Sequence, residues 1–267
     1  MDPRPIGIFD SGLGGLTAAK ALEALLPGED LIYFGDSANA PYGVRDPVSL
    51  ETLATANAAF LAEFDVKAVL VACGTVSSTV IGRVREKFPF PLFDVVNAPC
   101  RAAAHLSRGG RIAVAATETS IRSGAFVRAL RETDPKLTVF PKACQSLVAA
   151  VEAGHFQAGD PAAAAAVAAE MGPIRDFGPD TLLLGCTHFP LLREAIAAYL
   201  GGDVALVGVG EEAAKALRDH LKAGGMLAER ERGSRRWFTS GDPAEFARSA
   251  EVFLGHPVSP EQHINSV

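Results

Sequence analysis

The sequence predicts an α/β protein composed of two parallel-sheet units with similar architecture. Short apolar runs typical of buried strands lie at 6–9, 31–34, 68–72, 92–96, 112–115, 181–184 and 204–207. Longer segments with helical spacing of their apolar residues, such as 15–26 and 50–64, separate these runs. Strands that alternate with helices indicate parallel pairing, because each parallel pair needs a crossover connection.

The ends of four predicted strands indicate an internal repeat. In the first half of the chain one strand ends in Asp10 and Ser11, and a later strand ends at Cys73. In the second half one strand ends in the small polar residues 117–120, and a later strand ends at Cys186. Chance spacing is the alternative explanation. The repeat would give each unit one cysteine where a strand meets a helix, and ligands of open α/β sheets bind at such strand ends.

We expect two domains, of which the first is discontinuous. The first comprises residues 1–95 and 208–267, and the second comprises residues 96–207. A helix start follows the predicted strand at 92–96, and the chain crosses back to the first domain near 206–210. No Pro-rich or Ser/Gly-rich linker separates the units, so we expect them to pack tightly, with the active site in the cleft between them.

The C-terminal segment is expected to return to the first unit. The sequence WFT at 237–239 is typical of a strand, and SGDP at 240–243 is typical of a turn that leads into a helix. Asp242 or Ser240 would cap that helix, with Pro243 at its first position, where proline has no hydrogen bond to lose.

Composition and charge are those of an ordinary globular protein. The 267 residues include 25 Lys and Arg and 31 Asp and Glu, which gives a formal charge of −6. Hydrophobic residues make up 48% of the chain, which excludes a disordered or collagen-like protein. The arginines clustered at 230–236 are interleaved with glutamates, so we predict no nucleic-acid partner.

The sequence also predicts no membrane partner. No apolar run approaches about 20 residues, the length of a membrane-spanning helix. The N-terminal sequence MDPRPIGIFDSG lacks the basic and apolar regions of a secretory signal. We therefore expect a cytoplasmic protein, in which reduced cysteines are available for chemistry.

A glycine-rich turn, SGLGGL at 11–16, follows the first predicted strand. A dinucleotide-binding pattern that starts at Gly12 would need glycine at the position of Thr17, so the spacing argues against this cofactor. The turn instead exposes backbone N–H groups at a helix start, which suits a bound carboxylate. The alternative is a simple helix cap by Asp10 or Ser11.

Two of the four cysteines lie where a thiol would be reactive. Cys73 and Cys186 each follow an apolar run and precede hydroxyl residues at a predicted helix start, where thiolate is favoured. Cys100 and Cys144 lack such surroundings, and we interpret them as structural. Cys186 and His188 have no accompanying Cys-x-x-Cys or His-x-x-x-His pattern, so we predict no metal site.

A matched pair of thiols suits the inversion of a carbon that bears a weakly acidic proton. One base removes the proton from one face, while an acid delivers a proton to the opposite face. Asp10 could exchange protons with Cys73 and His188 with Cys186, because carboxylate and imidazole work as proton partners near neutral pH. Glu152 either orients His188 or is a surface residue of a helix. A hydrolase with one cysteine nucleophile would leave the second cysteine unexplained.

Several motifs follow one another along the chain. They are IFDSGLGGL at 8–16, YFGDS at 33–37, PYG at 41–43, VACGT at 71–75, SGAF at 123–126, LGCTHFP at 184–190 and SGDP at 240–243. Together they resemble glutamate racemase, a branch of the aspartate/glutamate racemase superfamily that uses no cofactor. The resemblance implies two α/β domains with pseudo-twofold symmetry and glutamate as the small-molecule substrate. It also implies that the product D-glutamate serves bacterial peptidoglycan synthesis, and with it cell-wall biogenesis and cell shape.

The same resemblance implies roles for individual residues. Cys73 and Cys186 are the two bases, Asp10 and His188 assist them, and Glu152 is the partner of His188. The positions that match substrate-binding residues of the family are Asp10, Ser11, Pro41, Tyr42, Gly43, Gly74, Thr75, Ser120, Thr187 and His188. A homodimer is an expectation from the family alone.

Three segments depart from the family pattern. Gly74 replaces an asparagine, residues 97–99 are NAP in place of EPG, and residues 208–210 are GVG in place of DSA. The asparagine amide would lie near the substrate, so its loss keeps open a racemase of aspartate or of a related acid in the same superfamily. A one-thiol decarboxylase or isomerase also stays open, as does a catalytically idle binding protein for acidic amino acids.

Overall fold

A computed structural model describes residues 1–265, which form two β-sheets covered by helices. The strands in chain order are β1 (Ile6–Asp10), β2 (Leu31–Gly35), β3 (Ala68–Val71), β4 (Leu92–Asp94), β5 (Arg111–Ala116), β6 (Thr138–Ala143), β7 (Thr181–Leu184), β8 (Ala205–Gly208), β9 (Arg235–Thr239) and β10 (Glu261–Gln262). The first sheet has six strands in the order β10-β9-β2-β1-β3-β4, and the second has four in the order β6-β5-β7-β8. Neighbouring strands run parallel, which confirms the predicted fold class.

The connections between the strands are mostly helical. The helices in chain order are α1 (Leu16–Leu25), α2 (Pro47–Ala62), α3 (Gly74–Thr79), α4 (Ile81–Arg85), α5 (Asn97–Leu106), α6 (Glu118–Ser123), α7 (Ala125–Thr133), α8 (Gln145–Glu152), α9 (Pro161–Phe177), α10 (Arg193–Leu200), α11 (Val209–Ala223) and α12 (Pro243–Leu254). Helices α2, α9 and α12 each begin with an aspartate cap followed by proline. The aspartate accepts hydrogen bonds from otherwise unpaired N–H groups, and proline presets the helical φ. The cap of α12 is Asp242, one of the two residues predicted for that position.

The two sheets share one strand order, which is the structural counterpart of the predicted repeat. In each sheet the first strand of the unit lies between the second and the third, and the fourth lies beyond the third. Strand β1 therefore corresponds to β5, and β3 corresponds to β7. Cys73 and Cys186 each lie two residues beyond the end of β3 and β7, so the two cysteines occupy equivalent places.

Burial explains why most strands are visible in the sequence. Strands β1, β2, β3 and β7 are buried along their whole length, because helices cover both faces of a parallel sheet. Most residues of each of these strands are therefore apolar, with Asp10 at the end of β1 and Thr181 at the start of β7 as exceptions. Helix α11 packs against α1 and α5, and one apolar cluster continues from the first sheet into the second. The two units are packed directly on each other, as the missing linker predicts.

Two strands of the structure were not predicted from the sequence. Strand β6, with the sequence TVFPKA, is an edge strand that is only partly buried. It contains Pro141, which has no N–H group to donate to a neighbouring strand. Strand β10 is short and exposed at the edge of the first sheet. Neither segment forms an apolar run, so neither leaves a periodic signal in the sequence.

The C-terminal segment returns to the first sheet, where β9 pairs with β2 and β10 pairs with β9. The first sheet thus takes its strands from 6–94 and 235–262, and the second takes its strands from 111–208. A division into domains at 95 and 208 stays a prediction. Within residues 1–265, no helix combines the length and the apolar character needed to traverse a lipid bilayer.

Candidate active site

The carboxyl ends of the two sheets face each other, and the predicted catalytic side chains lie there. Asp10 ends β1, and Cys73 follows the adjacent strand β3. The Sγ atom of Cys73 lies 3.7 Å from the hydroxyl oxygen of Ser11. Cys73 is the N-cap residue of α3, and its side chain makes no capping hydrogen bond. We call Asp10, Ser11 and Cys73 the Cys73 half-site.

A second half-site follows β7 in the other sheet. The Sγ atom of Cys186 lies 3.6 Å from Nδ1 of His188. The Nε2 atom of the same imidazole lies 3.6 Å from a carboxylate oxygen of Glu152, the last residue of α8. The side chain of Glu152 is 58% exposed, whereas that of His188 is 12% exposed. We call Cys186, His188 and Glu152 the Cys186 half-site.

The glycine-rich turn after β1 allows the two half-sites to approach each other. A Cβ atom on Gly14 would collide with Oγ1 of Thr187 and would lie 2.7 Å from the imidazole of His188. A Cβ atom on Gly15 would lie 2.5 Å from Cβ of Asp10. A residue without a side chain is therefore required where this turn meets the loop after β7.

The same turn corrects part of the sequence-based prediction. The Oδ2 atom of Asp10 accepts hydrogen bonds from the N–H groups of Gly12, at 3.2 Å, and Gly15, at 2.9 Å. Two N–H groups that were expected to hold a bound carboxylate are thus occupied by a carboxylate of the protein. Asp10 therefore caps N–H groups of the turn, as the alternative interpretation of the sequence proposed. No side chain caps the N-terminus of α1 itself.

Both thiols hold their protons tightly because they are buried. Burial, followed by the charge of Asp10, raises the pKa of Cys73 to about 12. Burial also raises the pKa of Cys186 to about 12, and the charges of Asp10 and Cys73 add to this effect. Nearby backbone N–H groups, those of Thr75 and Val76 for Cys73 and that of His188 for Cys186, lower the pKa, but burial outweighs them. Each sulfur is a thiol at neutral pH and needs a neighbour that accepts its proton.

His188 is suited to accept the proton of Cys186. Burial lowers the pKa of His188 below its ordinary value of 6.5, against the opposing charges of Asp10 and Glu152. The imidazole is therefore neutral near pH 7, and an unprotonated Nδ1 is an acceptor.

Some of the residues predicted to bind substrate lie near the thiols, where the two units contact each other. A Cβ atom on Gly74 would lie 3.1 Å from the carbonyl oxygen of Gly185 and 3.9 Å from Oγ of Ser120. The hydroxyl of Ser78 lies 3.2 Å from that of Ser120, which links α3 to α6. Gly74, the main departure from the family pattern, thus lies where the first unit contacts the second.

A loop at the edge of the cleft carries Pro41, Tyr42 and Gly43, and we call residues 40–45 the Tyr42 loop. A Cβ atom on Gly43 would lie 3.9 Å from Oγ1 of Thr75, which places the loop beside the Cys73 half-site. The carbonyl oxygen of Gly43 accepts a hydrogen bond from the hydroxyl of Thr119 in the second unit. Tyr42 is buried, whereas Pro41 is exposed.

Comparisons with known proteins agree with this arrangement. The sequence pattern of the Asp/Glu/Hydantoin racemase family matches residues 16–217. The glutamate racemase of Geobacter metallireducens is 38% identical over 256 residues, which cover 96% of this chain and 94% of that protein. The chain belongs to the Asp/Glu/Hydantoin racemase family. The protein is therefore an amino-acid racemase, and the resemblance indicated by the motifs is confirmed.

Solved structures extend the similarity to the whole fold of this racemase. The crystal structure of a glutamate racemase isoform from Bacillus anthracis matches with a TM-score of 0.92 at 33% identity and covers 98% of each chain. Glutamate racemase from Francisella tularensis, crystallised in complex with D-glutamate, matches with a TM-score of 0.90 at 32% identity. That match covers 100% of this chain and 98% of the other.

The racemase departs from the sequence-based expectation after Cys186, where a helix start was predicted. Phe189–Leu192 form a 3-10 turn, and α10 begins only at Arg193. Pro190 lies in that turn and has no N–H group to contribute to a helix. Cys73 is therefore followed directly by an α-helix and Cys186 is not.

The other two cysteines of the racemase are buried against backbone. The Sγ atom of Cys100 lies 3.7 Å from the carbonyl oxygen of Phe126, and that of Cys144 lies 3.6 Å from the carbonyl oxygen of Lys142. Both thiols are free, and burial raises the pKa of each. In the part of the chain that the structure describes, no three His, Cys, Asp or Glu side chains are grouped as a metal ion would require.

Three polar residues near the cleft were missed by sequence reasoning. Thr119 belongs to a strand-end segment that was recognised, but nothing singles it out within that segment. Asp36 follows β2 directly and is fully buried. Asn57 is a fully buried amide in the apolar helix α2. Asp36 and Asn57 could have been found from the sequence, because each is a polar residue within or next to an apolar segment. Such a residue needs a hydrogen-bond partner when it is buried.

Proposed function

We propose that this racemase interconverts L- and D-glutamate without a cofactor, by proton transfer through Cys73 and Cys186. The observation that carries the proposal is the pair of thiols at equivalent ends of β3 and β7, with His188 beside Cys186 and with Asp10 at the end of the strand next to that of Cys73. The similar proteins described above are glutamate racemases, and one was crystallised with D-glutamate. Inversion requires an acid–base group on each face of the α-carbon, and two facing half-sites meet that requirement.

In one direction, His188 accepts the proton of Cys186, and the resulting thiolate removes the α-proton of the substrate. The electron pair of the broken C–H bond stays on the substrate and spreads into the α-carboxylate. The thiol of Cys73 then delivers its own proton to the opposite face and becomes a thiolate. His188 releases its proton to solvent, and Cys73 regains one by way of Asp10. The reverse direction begins with Cys73 and passes its proton to Asp10.

The raised pKa of each thiol has a chemical use in this scheme. The α-proton of an amino acid is weakly acidic, so a strong base is needed to remove it. A thiolate whose conjugate thiol has a pKa of about 12 is a stronger base than an ordinary thiolate. Such a thiolate is rarely formed at neutral pH, which is why Asp10 and His188 are required as proton acceptors.

Hydroxyl and backbone N–H groups would hold the two carboxylates of the substrate. The residues that we assign to substrate binding are Asp10, Ser11, Pro41, Tyr42, Gly43, Gly74, Thr75, Ser120, Thr187 and His188. Fixed donors around the α-carboxylate would stabilise the charge that develops there as the proton leaves.

The biological role follows from the family resemblance. We propose that D-glutamate made in the cytoplasm supports peptidoglycan synthesis, and that the enzyme is a homodimer. Cells depleted of the protein should lose their shape and recover when D-glutamate, but not L-glutamate, is supplied. Sedimentation of the purified protein tests the dimer.

Exchange of the α-proton in heavy water tests the activity. The protein is incubated separately with L- and D-glutamate and with L- and D-aspartate, and deuterium at the α-carbon is measured together with the configuration. We expect deuterium incorporation and inversion with both enantiomers of glutamate. Inversion confined to aspartate would reassign the substrate, and exchange with none of the four would indicate a binding protein. Loss of carbon dioxide would indicate a decarboxylase.

A further inference from the structure

A chain of hydrogen bonds runs from the C-terminal tail to the Tyr42 loop. Nε2 of His263 lies 3.1 Å from Oδ1 of Asn265, the amide Nδ2 of which donates to Oδ1 of Asn57 at 2.8 Å. Nδ2 of Asn57 donates to the hydroxyl of Tyr42 at 2.9 Å. That hydroxyl donates to a carboxylate oxygen of Asp36. The donors from Asn265 onward all point the same way, from the tail towards Asp36.

The middle of this chain is sealed from water. Asp36 and Asn57 are 0% exposed, and Tyr42 is 1% exposed. Asp36 also accepts hydrogen bonds from the hydroxyl of Ser240, at 2.6 Å, and from the side-chain amide of Asn39, at 3.0 Å. A buried polar group that loses a partner cannot turn to water instead, so each contact restricts the orientation of the next side chain.

The tail has its own anchor on the first sheet. The imidazole of His263 stacks on the ring of Phe60, with 3.7 Å between the ring centroids. The backbone N–H of His263 donates to the carbonyl oxygen of Thr239 at 2.9 Å, which continues the pairing of β10 with β9. The tail is thus held in place without the side chain of Asn265, and that side chain is free to act on Asn57.

At the other end of the chain, Tyr42 fixes the position of backbone beside the Cys73 half-site. The next residue, Gly43, faces Thr75, and its carbonyl oxygen accepts the hydroxyl of Thr119. Burial, then the charge of Asp36, raises the pKa of Tyr42, so its hydroxyl keeps its proton and remains a donor. Gly43 directly follows Tyr42 in the chain, so a displacement of Tyr42 from these partners would move Gly43 relative to Thr75.

We propose that the C-terminal tail is a positioning element of the active site, in which Asn265 acts through Asn57 to hold Tyr42 and the Tyr42 loop beside Thr75. Asn57 and Asn265 are positioning residues, because they act on the loop through the Tyr42 hydroxyl. This inference rests on the proposed function, which assigns the Tyr42 loop to substrate binding. The loop lies at the edge of the cleft, so its displacement weakens substrate binding more than it slows proton transfer.

The test compares two neighbouring tail residues in the full-length protein. Asn265→Ala removes the amide that contacts Asn57, whereas Ile264→Ala changes a side chain that is 68% exposed and lies outside the chain of contacts. Loss of one neutral hydrogen bond should raise KM for glutamate about threefold to tenfold in Asn265→Ala, with kcat within about twofold. Hydrogen exchange of the backbone amides at 42–45 should accelerate in the same variant. Ile264→Ala should match the parent protein in both measurements.

A double-mutant comparison separates positioning from general loosening of the tail. Tyr42→Phe removes the hydroxyl through which Asn57 reaches the loop. Asn265→Ala should therefore add no further increase in KM when it is introduced into Tyr42→Phe. Additive effects would show that the tail acts by another route and would overturn the proposal.

The remaining outcomes are equally decisive. Unchanged exchange at 42–45 in Asn265→Ala would overturn the proposal, and so would faster exchange with an unchanged KM. A parent protein that racemises neither glutamate nor aspartate would overturn the proposed function instead. In that case the hydrogen exchange of residues 42–45 can still be compared between the parent protein and Asn265→Ala. Faster exchange in Asn265→Ala would support the contact between the tail and the loop.

Discussion

The two half-sites occupy equivalent ends of equivalent strands, yet the acid–base groups near the two thiols differ. Cys73 has the carboxylate of Asp10 on the adjacent strand and is followed directly by helix α3. Cys186 has the imidazole of His188 at 3.6 Å and is followed by a 3-10 turn. The repeated fold thus places the two thiols, whereas the groups proposed to exchange protons with them are not repeated.

Two units with the same strand order can therefore carry different acid–base groups at equivalent positions. Burial raises the pKa of both thiols to about 12, so the two sulfurs alone would behave alike. The neighbouring groups differ in chemistry, because an imidazole accepts a proton only while one ring nitrogen is unprotonated, and protonation of His188 removes that acceptor. Four predictions probe how far the two half-sites are equivalent.

The largest effect should come from removing either thiol. Cys73→Ala and Cys186→Ala each remove the acid–base group on one face, and such groups contribute about 10²–10⁴-fold to rate. We therefore expect racemisation to fall about a thousandfold or more in each variant, in both directions. Chiral chromatography measures the rate, and an unchanged circular dichroism spectrum controls for folding. Near-normal inversion by either variant would mean that the matched pair is not the catalytic pair.

The next effect should come from forcing the half-sites apart. Gly14→Ala would place a methyl group against Thr187 and His188, whereas Gly12→Ala would meet no atom within 4 Å. Displacement of reacting groups by about 1 Å costs roughly a hundredfold in rate, so we expect kcat to fall about tenfold to a hundredfold in Gly14→Ala. Gly12→Ala is the matched control and should keep kcat near that of the parent. Equal activity of the two variants would argue against close contact between the half-sites.

The pH dependence tests the imidazole directly. Because burial lowers the pKa of His188 below 6.5, the ring protonates only as the pH falls below that value, and it then cannot accept the proton of Cys186. We expect kcat/KM to fall as the pH drops through this lowered pKa. His188→Gln should be slower at pH 7 and should lack this acid limb, which a pH series from 5 to 8 measures.

The equilibrium constant of a racemisation is one, so kcat/KM must be equal in the two directions at every pH. Any difference between the half-sites must therefore be sought in kcat and KM separately. An acid limb that persists unchanged in His188→Gln would assign the titration to another group.

The smallest effect should come from Glu152. Its contact with His188 is 3.6 Å long and its side chain is 58% exposed, and exposed ion pairs contribute little. We expect Glu152→Gln to change kcat/KM less than about threefold, because water screens the pair. Glu152 opposes the lowered pKa of His188, so the acid limb should move to slightly lower pH. A large loss of activity would instead place Glu152 within the catalytic machinery.

Much of this site is predictable from the sequence because its residues follow buried strands. Apolar runs identify β3 and β7, and the residues just after them are Cys73 and Cys186. The glycines of the turn after β1 were recognised but misinterpreted, because only the three-dimensional contact with Thr187 and His188 shows why Gly14 has no side chain. The path from Asn265 to Tyr42 joins residues that are far apart in sequence, and no local pattern encodes such a contact.

The central claim is that one thiol takes the α-proton and the other returns a different one. The most direct measurement starts from protiated L-glutamate in heavy water and stops the reaction at low conversion. We predict that the D-glutamate formed carries deuterium at the α-carbon, while the remaining L-glutamate keeps its protium. D-glutamate that retains the protium of its substrate would contradict the claim, because a single group would then have carried the same proton to both faces.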